Sequence, residues 1–178
     1  ITLAETITLL DLSDNLIESL PTPAGGSVFA GLTDVSVLLK GNRLTHVPAR
    51  FFAGLTYASA YSRILDLREN LIATIDPDAL DGFSFSGGYR YTRLKLQGNK
   101  LTTVPARLFD FDGQDPISPG WFGSVHLDDN EITNLPAYAF AGLLLAVTTA
   151  LCLPCVVIAG AFLERTGVEK ALTDTTLS

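Results

Sequence analysis

The chain has 178 residues, of which 47% are hydrophobic, and it carries a formal net charge of −7. This length suits about one domain, and this hydrophobic content is enough for a buried core. The charged residues are spread along the chain without the basic block that tracks phosphates, so the sequence predicts no nucleic-acid partner.

A short frame recurs five times along the chain, with apolar residues three and five places before an asparagine. The five asparagines are Asn15, Asn42, Asn70, Asn99 and Asn130. The alternation of apolar and polar residues before each one predicts a short strand with one buried face. A single coil of this length cannot bury its own apolar face, so the coils are predicted to stack into one parallel sheet over a shared core.

Each asparagine is followed by further apolar positions and then by a large apolar residue, which is Phe52, Leu80, Phe109 or Phe140 in the last four copies. An asparagine side chain offers both a donor and acceptors to backbone groups that leave a sheet without a ladder partner. The asparagine column is therefore predicted to be structural.

The whole pattern, N-x-L-x-x-L-P-x-x-x-F-x-x-L, resembles the extracellular typical leucine-rich repeat of Toll-like receptors, lymphocyte-type repeat receptors and small proteoglycans. The resemblance covers roughly Ile7 to Leu143. It implies an α/β solenoid, a horseshoe segment with a parallel concave sheet. It also implies a function in binding a protein or peptide, without catalysis and without a cofactor.

The asparagine spacings of 27, 28, 29 and 31 residues depart from the typical repeat, because extra residues precede the next strand. These insertions cover 56–62, 84–91 and 113–122, and they hold most of the large polar aromatics. Insertions in such repeats map to loops on one edge of the solenoid. The aromatics are predicted either to form an edge ridge that contacts a ligand or to staple the loops together: Tyr57, Tyr61, Tyr89, Tyr91 and Trp121.

The strand alternation also predicts which side chains face outward on the concave sheet. They form three columns, Leu9, Ser36, Ile64, Arg93 and Ser124, then Asp11, Leu38, Asp66, Lys95 and His126, then Ser13, Lys40, Arg68, Gln97 and Asp128. The candidate ligand-binding residues on this face are Lys40, Asp66, Arg68, Arg93, Lys95, His126 and Asp128. The cations cluster toward the middle, where an acidic patch of a partner could bind.

A strongly apolar stretch, 143–163, follows the repeats and is long enough as a helix to cross a bilayer. The predicted organisation is a solenoid over 1–142, a transmembrane helix over 143–163 and a polar tail over 164–178. Basic residues after the span place the tail in the cytoplasm and the repeats outside the cell. The function predicted is therefore the ectodomain of a single-pass receptor or adhesion protein. The alternative is a soluble, cytoplasmic scaffold whose apolar helix caps the solenoid.

The residues that bear reactive groups do not form a recognisable catalytic or metal site. Cys152 and Cys155 lie in the apolar stretch, where desolvation raises a thiol pKa, and they are interpreted as apolar fillers. His46 and His126 have no matching nucleophile or ligand set in the sequence. The chain is predicted not to be an enzyme and to bind no metal.

Overall fold

The computed structural model describes residues 7–20, 27–58, 63–85, 92–106, 108–109, 122–137, 139 and 155–157. The described residues form a solenoid of parallel strands. The strands in chain order are β1 (Leu9–Asp11), β2 (Ser36–Leu38), β3 (His46–Val47), β4 (Thr56–Tyr57), β5 (Ile64–Asp66), β6 (Thr74–Ile75), β7 (Ser84–Phe85), β8 (Thr92–Lys95), β9 (Phe122–His126) and β10 (Cys155–Val157).

The main sheet has six strands in the order β1, β2, β5, β8, β9, β10, and all its neighbours pair in parallel. The central residues of four strands point inward and are at most 2% exposed: Val37, Leu65, Leu94 and Val125. Their partners on the neighbouring strands are the same positions of the frame. The predicted parallel sheet and its register are therefore confirmed.

Two smaller sheets complete the coils. β3 pairs with β6, and β4 pairs with β7, in both cases in parallel. The second pair occupies the first residues of two predicted insertions, so these insertions begin as a further column of the solenoid and not as free loops. The β-branched and aromatic residues Thr56 and Tyr57 favour this extended conformation.

The core is continuous from coil to coil and is filled by leucines, valines and a row of aromatic rings. Phe29 stacks on Phe52 with ring centroids 5.8 Å apart, and Phe52 lies 6.5 Å from Phe83. All three are at most 1% exposed. Leu80 and Phe109, the large apolar residues of the next two repeats, belong to the same core, which neighbouring coils share.

The asparagines form a hydrogen-bonded ladder along the core edge. Asn70 Nδ2 donates to the carbonyl of Leu67 in its own coil at 3.1 Å and to that of Leu39 in the preceding coil at 2.9 Å. Its Oδ1 accepts the backbone N–H of Leu44 at 3.1 Å. Asn42, Asn99 and Asn130 repeat this arrangement. Each of these side chains therefore joins two coils.

The residue before every ladder asparagine has a left-handed backbone conformation. The φ angles are 54° at Asp14, 68° at Gly41, 54° at Glu69, 68° at Gly98 and 55° at Asp129. Glycine adopts this region without cost, and aspartate tolerates it better than most residues. This turn reverses the chain out of the main sheet and directs the asparagine side chain inward.

The described part of the chain contains strands and turns but no helix, so the α/β solenoid of the prediction is a β-solenoid there. Turns follow the proline positions at 49–54 and 77–82. These stretches are one or two turns long, which is too short to propagate a helix.

The predicted C-terminal helix over 143–163 is not confirmed. Of its residues the structure describes only Cys155–Val157, which form β10 and pair in parallel with β9. Consecutive valines favour a strand, and β9 offers an edge to pair with. No helix among the described residues is long and apolar enough to cross a membrane.

Candidate functional site

The register of the main sheet brings the predicted outward columns together as neighbours. Ile64 pairs with Arg93 and Arg93 with Ser124, while Asp66 pairs with Lys95 and Lys95 with His126. The third column follows the same order, since Gly41 N donates to Arg68 O at 3.0 Å and Gly98 N donates to Asp128 O at 3.2 Å. We call this outward side of the main sheet the concave face.

A carboxylate lies at the centre of the concave face, and two cations converge on it. Asp66 is only 4% exposed. Arg68 binds it through two nitrogens, with Nε 2.8 Å from Oδ1 and the terminal nitrogen 2.6 Å from Oδ2. Lys95 Nζ lies 3.9 Å from the same Oδ2. The hydrogen bonds that Arg68 donates to the Asp66 carboxylate raise the pKa of Arg68, so the guanidinium stays charged.

The backbone helps to hold this carboxylate. Asp66 Oδ1 also accepts the N–H of Arg68 at 3.2 Å, and Asp11 accepts the N–H of Ser13 at 2.9 Å in the same position of the first coil. Hydrogen bonds from Ser13 lower the pKa of Asp11. An aspartate at this position of the strand thus caps the turn that follows.

The remaining two predicted cations differ in their surroundings. Lys40 is 3.2 Å from Glu69 of the next coil in an exposed ion pair, which contributes little free energy. Arg93 is exposed and forms no ion pair with any residue that the structure describes. The alternation had not indicated Glu69, because it lies beyond the strand in the turn.

In the described part of the chain, the C-terminal side of the concave face is polar and carries no lysine or arginine. Ser124 Oγ and His126 Nε2 are 2.9 Å apart. This contact was missed in the sequence, although residues two apart on a strand share a face. A nucleophile and base pair of this kind needs a third group to orient the imidazole. Among the described residues no hydrogen bond joins His126 to Asp128.

The other histidine lies away from the concave face. His46 Nδ1 is 2.8 Å from Thr74 Oγ1, and His46 Nε2 is 3.5 Å from the carboxylate of Asp76. Asp76 also accepts the N–H of Ala49 at 2.9 Å. This bond between coils gives Asp76 a structural role at the position where the other repeats carry proline.

Of the predicted edge aromatics, the structure describes Tyr57, which is fully buried. Its ring packs edge-on against Phe83 at 5.1 Å, and its hydroxyl donates to the carbonyl of Val35 at 3.0 Å. Burial raises the pKa of this phenol well above its usual range. Tyr57 is thus a packing residue and not a surface contact, which agrees with the stapling alternative and not with a place on the ligand-contacting ridge. Tyr61, Tyr89, Tyr91 and Trp121 lie outside the described residues.

No group of histidine, cysteine and carboxylate side chains in the described ranges could hold a metal ion. Cys155 begins β10, and Cys152 is outside the described residues.

Comparison with known proteins gives one distant similarity. The chain is 26% identical over 134 residues to keratocan of Danio rerio, and the alignment covers 75% of this chain. It covers 32% of keratocan, so the chain spans about a third of that protein's length. No family model matches the chain. Together with the parallel solenoid and the asparagine ladder, the similarity supports the leucine-rich-repeat resemblance.

Proposed function

We propose that this chain is a leucine-rich-repeat module that binds an acidic segment of a protein or peptide on the centre of its concave face. The observation that carries the proposal is the arrangement of Arg68 and Lys95 around the buried carboxylate of Asp66, with the exposed Arg93 two residues before Lys95 on the same strand. The centre keeps a net positive charge in a chain that is acidic as a whole.

This arrangement is favourable for recognition because part of it is fixed before a ligand arrives. Asp66 holds the Arg68 side chain by two hydrogen bonds and restricts Lys95, so less side-chain entropy is lost on binding. Arg93, one strand further, is exposed and available to a carboxylate of the partner. Such charges determine specificity and association rate more than affinity.

The location of the module is also a proposal. The similarity to keratocan and the extracellular class of repeat that the sequence resembles favour repeats outside the cell. The apolar composition of 143–163 supports a membrane anchor, whereas the pairing of β10 with β9 supports the alternative in which this segment closes the end of the solenoid. Carbonate extraction of the membrane fraction distinguishes these two alternatives, because release of the chain without detergent contradicts a membrane anchor.

The binding proposal is tested by reversing one charge at the centre. Arg93→Glu is the cleanest variant, because Arg68 and Lys95 also hold the buried Asp66 and their loss would disturb the fold. Arg43→Glu is the matched control, since Arg43 is exposed and lies beyond the turn that leaves the concave face. The full chain and both variants are used as baits in parallel pull-downs, and captured proteins are quantified.

We expect the partner to be depleted about tenfold with Arg93→Glu and retained with Arg43→Glu. Its association with the wild-type chain should slow as salt is raised, and this dependence should weaken in Arg93→Glu. Equal capture by both variants would contradict the proposal.

A further inference from the structure

Two buried acceptor oxygens on the concave face have no donor among the residues that the structure describes. They are Gln97 Oε1 and Asp128 Oδ1. Both residues belong to the third outward column and lie just beyond β8 and β9 in neighbouring coils, because Gly98 N donates to Asp128 O at 3.2 Å. Buried polar atoms are nearly always paired, so two unpaired acceptors in the same column of neighbouring coils indicate a place that a donor could fill.

The nearby donors on this face are engaged elsewhere. Lys95 Nζ is directed to Asp66 at 3.9 Å, on the side away from Asp128. His126 Nε2 is used by Ser124 Oγ at 2.9 Å. Asp128 therefore has no cation in the described part of the chain, in contrast to Asp66, which has two.

We propose that Gln97 and Asp128 form a subsite for an arginine side chain of the partner. The proposal rests on the proposed function and extends it. A guanidinium presents several donors in one plane, and it matches an amide oxygen beside a carboxylate oxygen. Both side chains are half-buried, and their terminal torsions are broad, so a small rotation exposes the oxygens to a ligand.

The two subsites define the kind of partner segment. Arg68, Gln97 and Asp128 occupy the same column in successive coils, just beyond β5, β8 and β9, and neighbouring strands are about 4.8 Å apart. Arg68 of the anion-binding centre and Asp128 of the arginine subsite are thus roughly 10 Å apart, with Gln97 between them. A short segment that carries an acidic and a basic side chain a few residues apart spans this distance.

A first test needs no ligand. If the acceptor of Gln97 is kept unpaired for recognition, the free protein is destabilised by it, and Gln97→Met in the full chain should raise the thermal midpoint by about 2 °C or more. If Gln97 is instead a structural residue, the same change lowers the midpoint. A lowered midpoint would overturn the proposal.

A second test uses the peptide Ac-Gly-Glu-Gly-Gly-Arg-Gly-NH2 and versions with glutamine in place of its arginine or its glutamate. Calorimetric titration of the full chain should show about tenfold weaker binding when the arginine is replaced. Asp128→Asn should abolish that preference. Asp129→Asn should retain it, because Asp129 is exposed and asparagine tolerates its φ of 55°.

The outcomes separate the two proposals. Absence of the arginine preference in the wild-type chain, or its persistence in Asp128→Asn, overturns the arginine subsite. If replacing the glutamate of the peptide leaves its affinity unchanged, and Arg93→Glu captures the partner as well as the wild-type chain does, the proposed anion-binding centre is wrong. The arginine subsite is then still supported, provided that replacing the peptide's arginine weakens binding.

Discussion

Single side chains connect the coils of this solenoid, and the asparagine ladder shows how. Asn99 is 2% exposed and links the carbonyls of Leu67 and Leu96 to the N–H of Ile72. Asn15 in the first coil is exposed, and among the described residues its side chain bonds only to carbonyls of its own coil, those of Leu12 and Ser13. The same residue type therefore differs in its contribution according to whether a preceding coil lies beside it.

Asn99→Ala is expected to lower the free energy of unfolding by about 3 kcal/mol or more, because it leaves buried backbone groups unpaired. Asn15→Ala should cost about 1 kcal/mol or less, since its carbonyl partners are exposed to water. Chemical denaturation of both variants checks the difference. Equal losses would contradict a ladder that joins coils.

The left-handed residue before each asparagine gives a second test. At Gly98 an added Cβ would meet its nearest neighbour at 3.5 Å, an ordinary contact, so substitution there measures the backbone conformation alone. We expect Gly98→Ala to destabilise by about 1 kcal/mol, and Gly98→Asn to cost clearly less, because asparagine tolerates a positive φ. Thermal unfolding of the two variants should separate them, and alanine equal to asparagine would refute this explanation.

At the level of elements, β4 and β7 extend the solenoid where the sequence indicated loops. The spacing of the repeats correctly located the extra residues, but it does not encode that Thr56 and Ser84 pair as parallel strands. The reason is the long-range contact of Tyr57 with Val35 and Phe83, which no local pattern of an insertion reveals. From sequence alone, an aromatic residue in an insertion is equally compatible with an exposed position that contacts a ligand and with a buried position that packs the loops together.

Tyr57→Phe is expected to destabilise the protein by about 1 kcal/mol at neutral pH, because the carbonyl of Val35 loses a buried donor. The raised pKa of Tyr57 adds a pH dependence. The folded state keeps the phenol proton while the unfolded state releases it near pH 10, so stability falls as pH rises above about 10.

This alkaline loss should be smaller in Tyr57→Phe than in the wild-type chain. Unfolding curves between pH 8 and about 11.5 measure both effects. Identical slopes for the two proteins would show that the phenol is not buried in the native state.

For the whole molecule, the sequence predicted the parallel sheet, its register and the three outward columns. The prediction succeeded because inward apolar residues such as Leu65 alternate along the strands with outward residues such as Asp66. Only one register of neighbouring strands then buries all of the apolar residues. It did not predict that Lys95 and Arg68 share one carboxylate, or that Gln97 and Asp128 lack donors, since side-chain directions on a sheet depend on neighbouring coils. The C-terminal helix was predicted from hydropathy, which does not distinguish a helix from a strand such as β10.

The central claim is that the concave face contacts the partner, and site-specific photocrosslinking tests it most directly. A benzophenone side chain is placed at Leu38, half-buried on the concave face beside Asp66, and separately at Ala106, exposed in the turn after Pro105. With the partner captured by the wild-type chain, we predict crosslinks from position 38 and none from position 106. Crosslinks from position 106 alone would contradict the account.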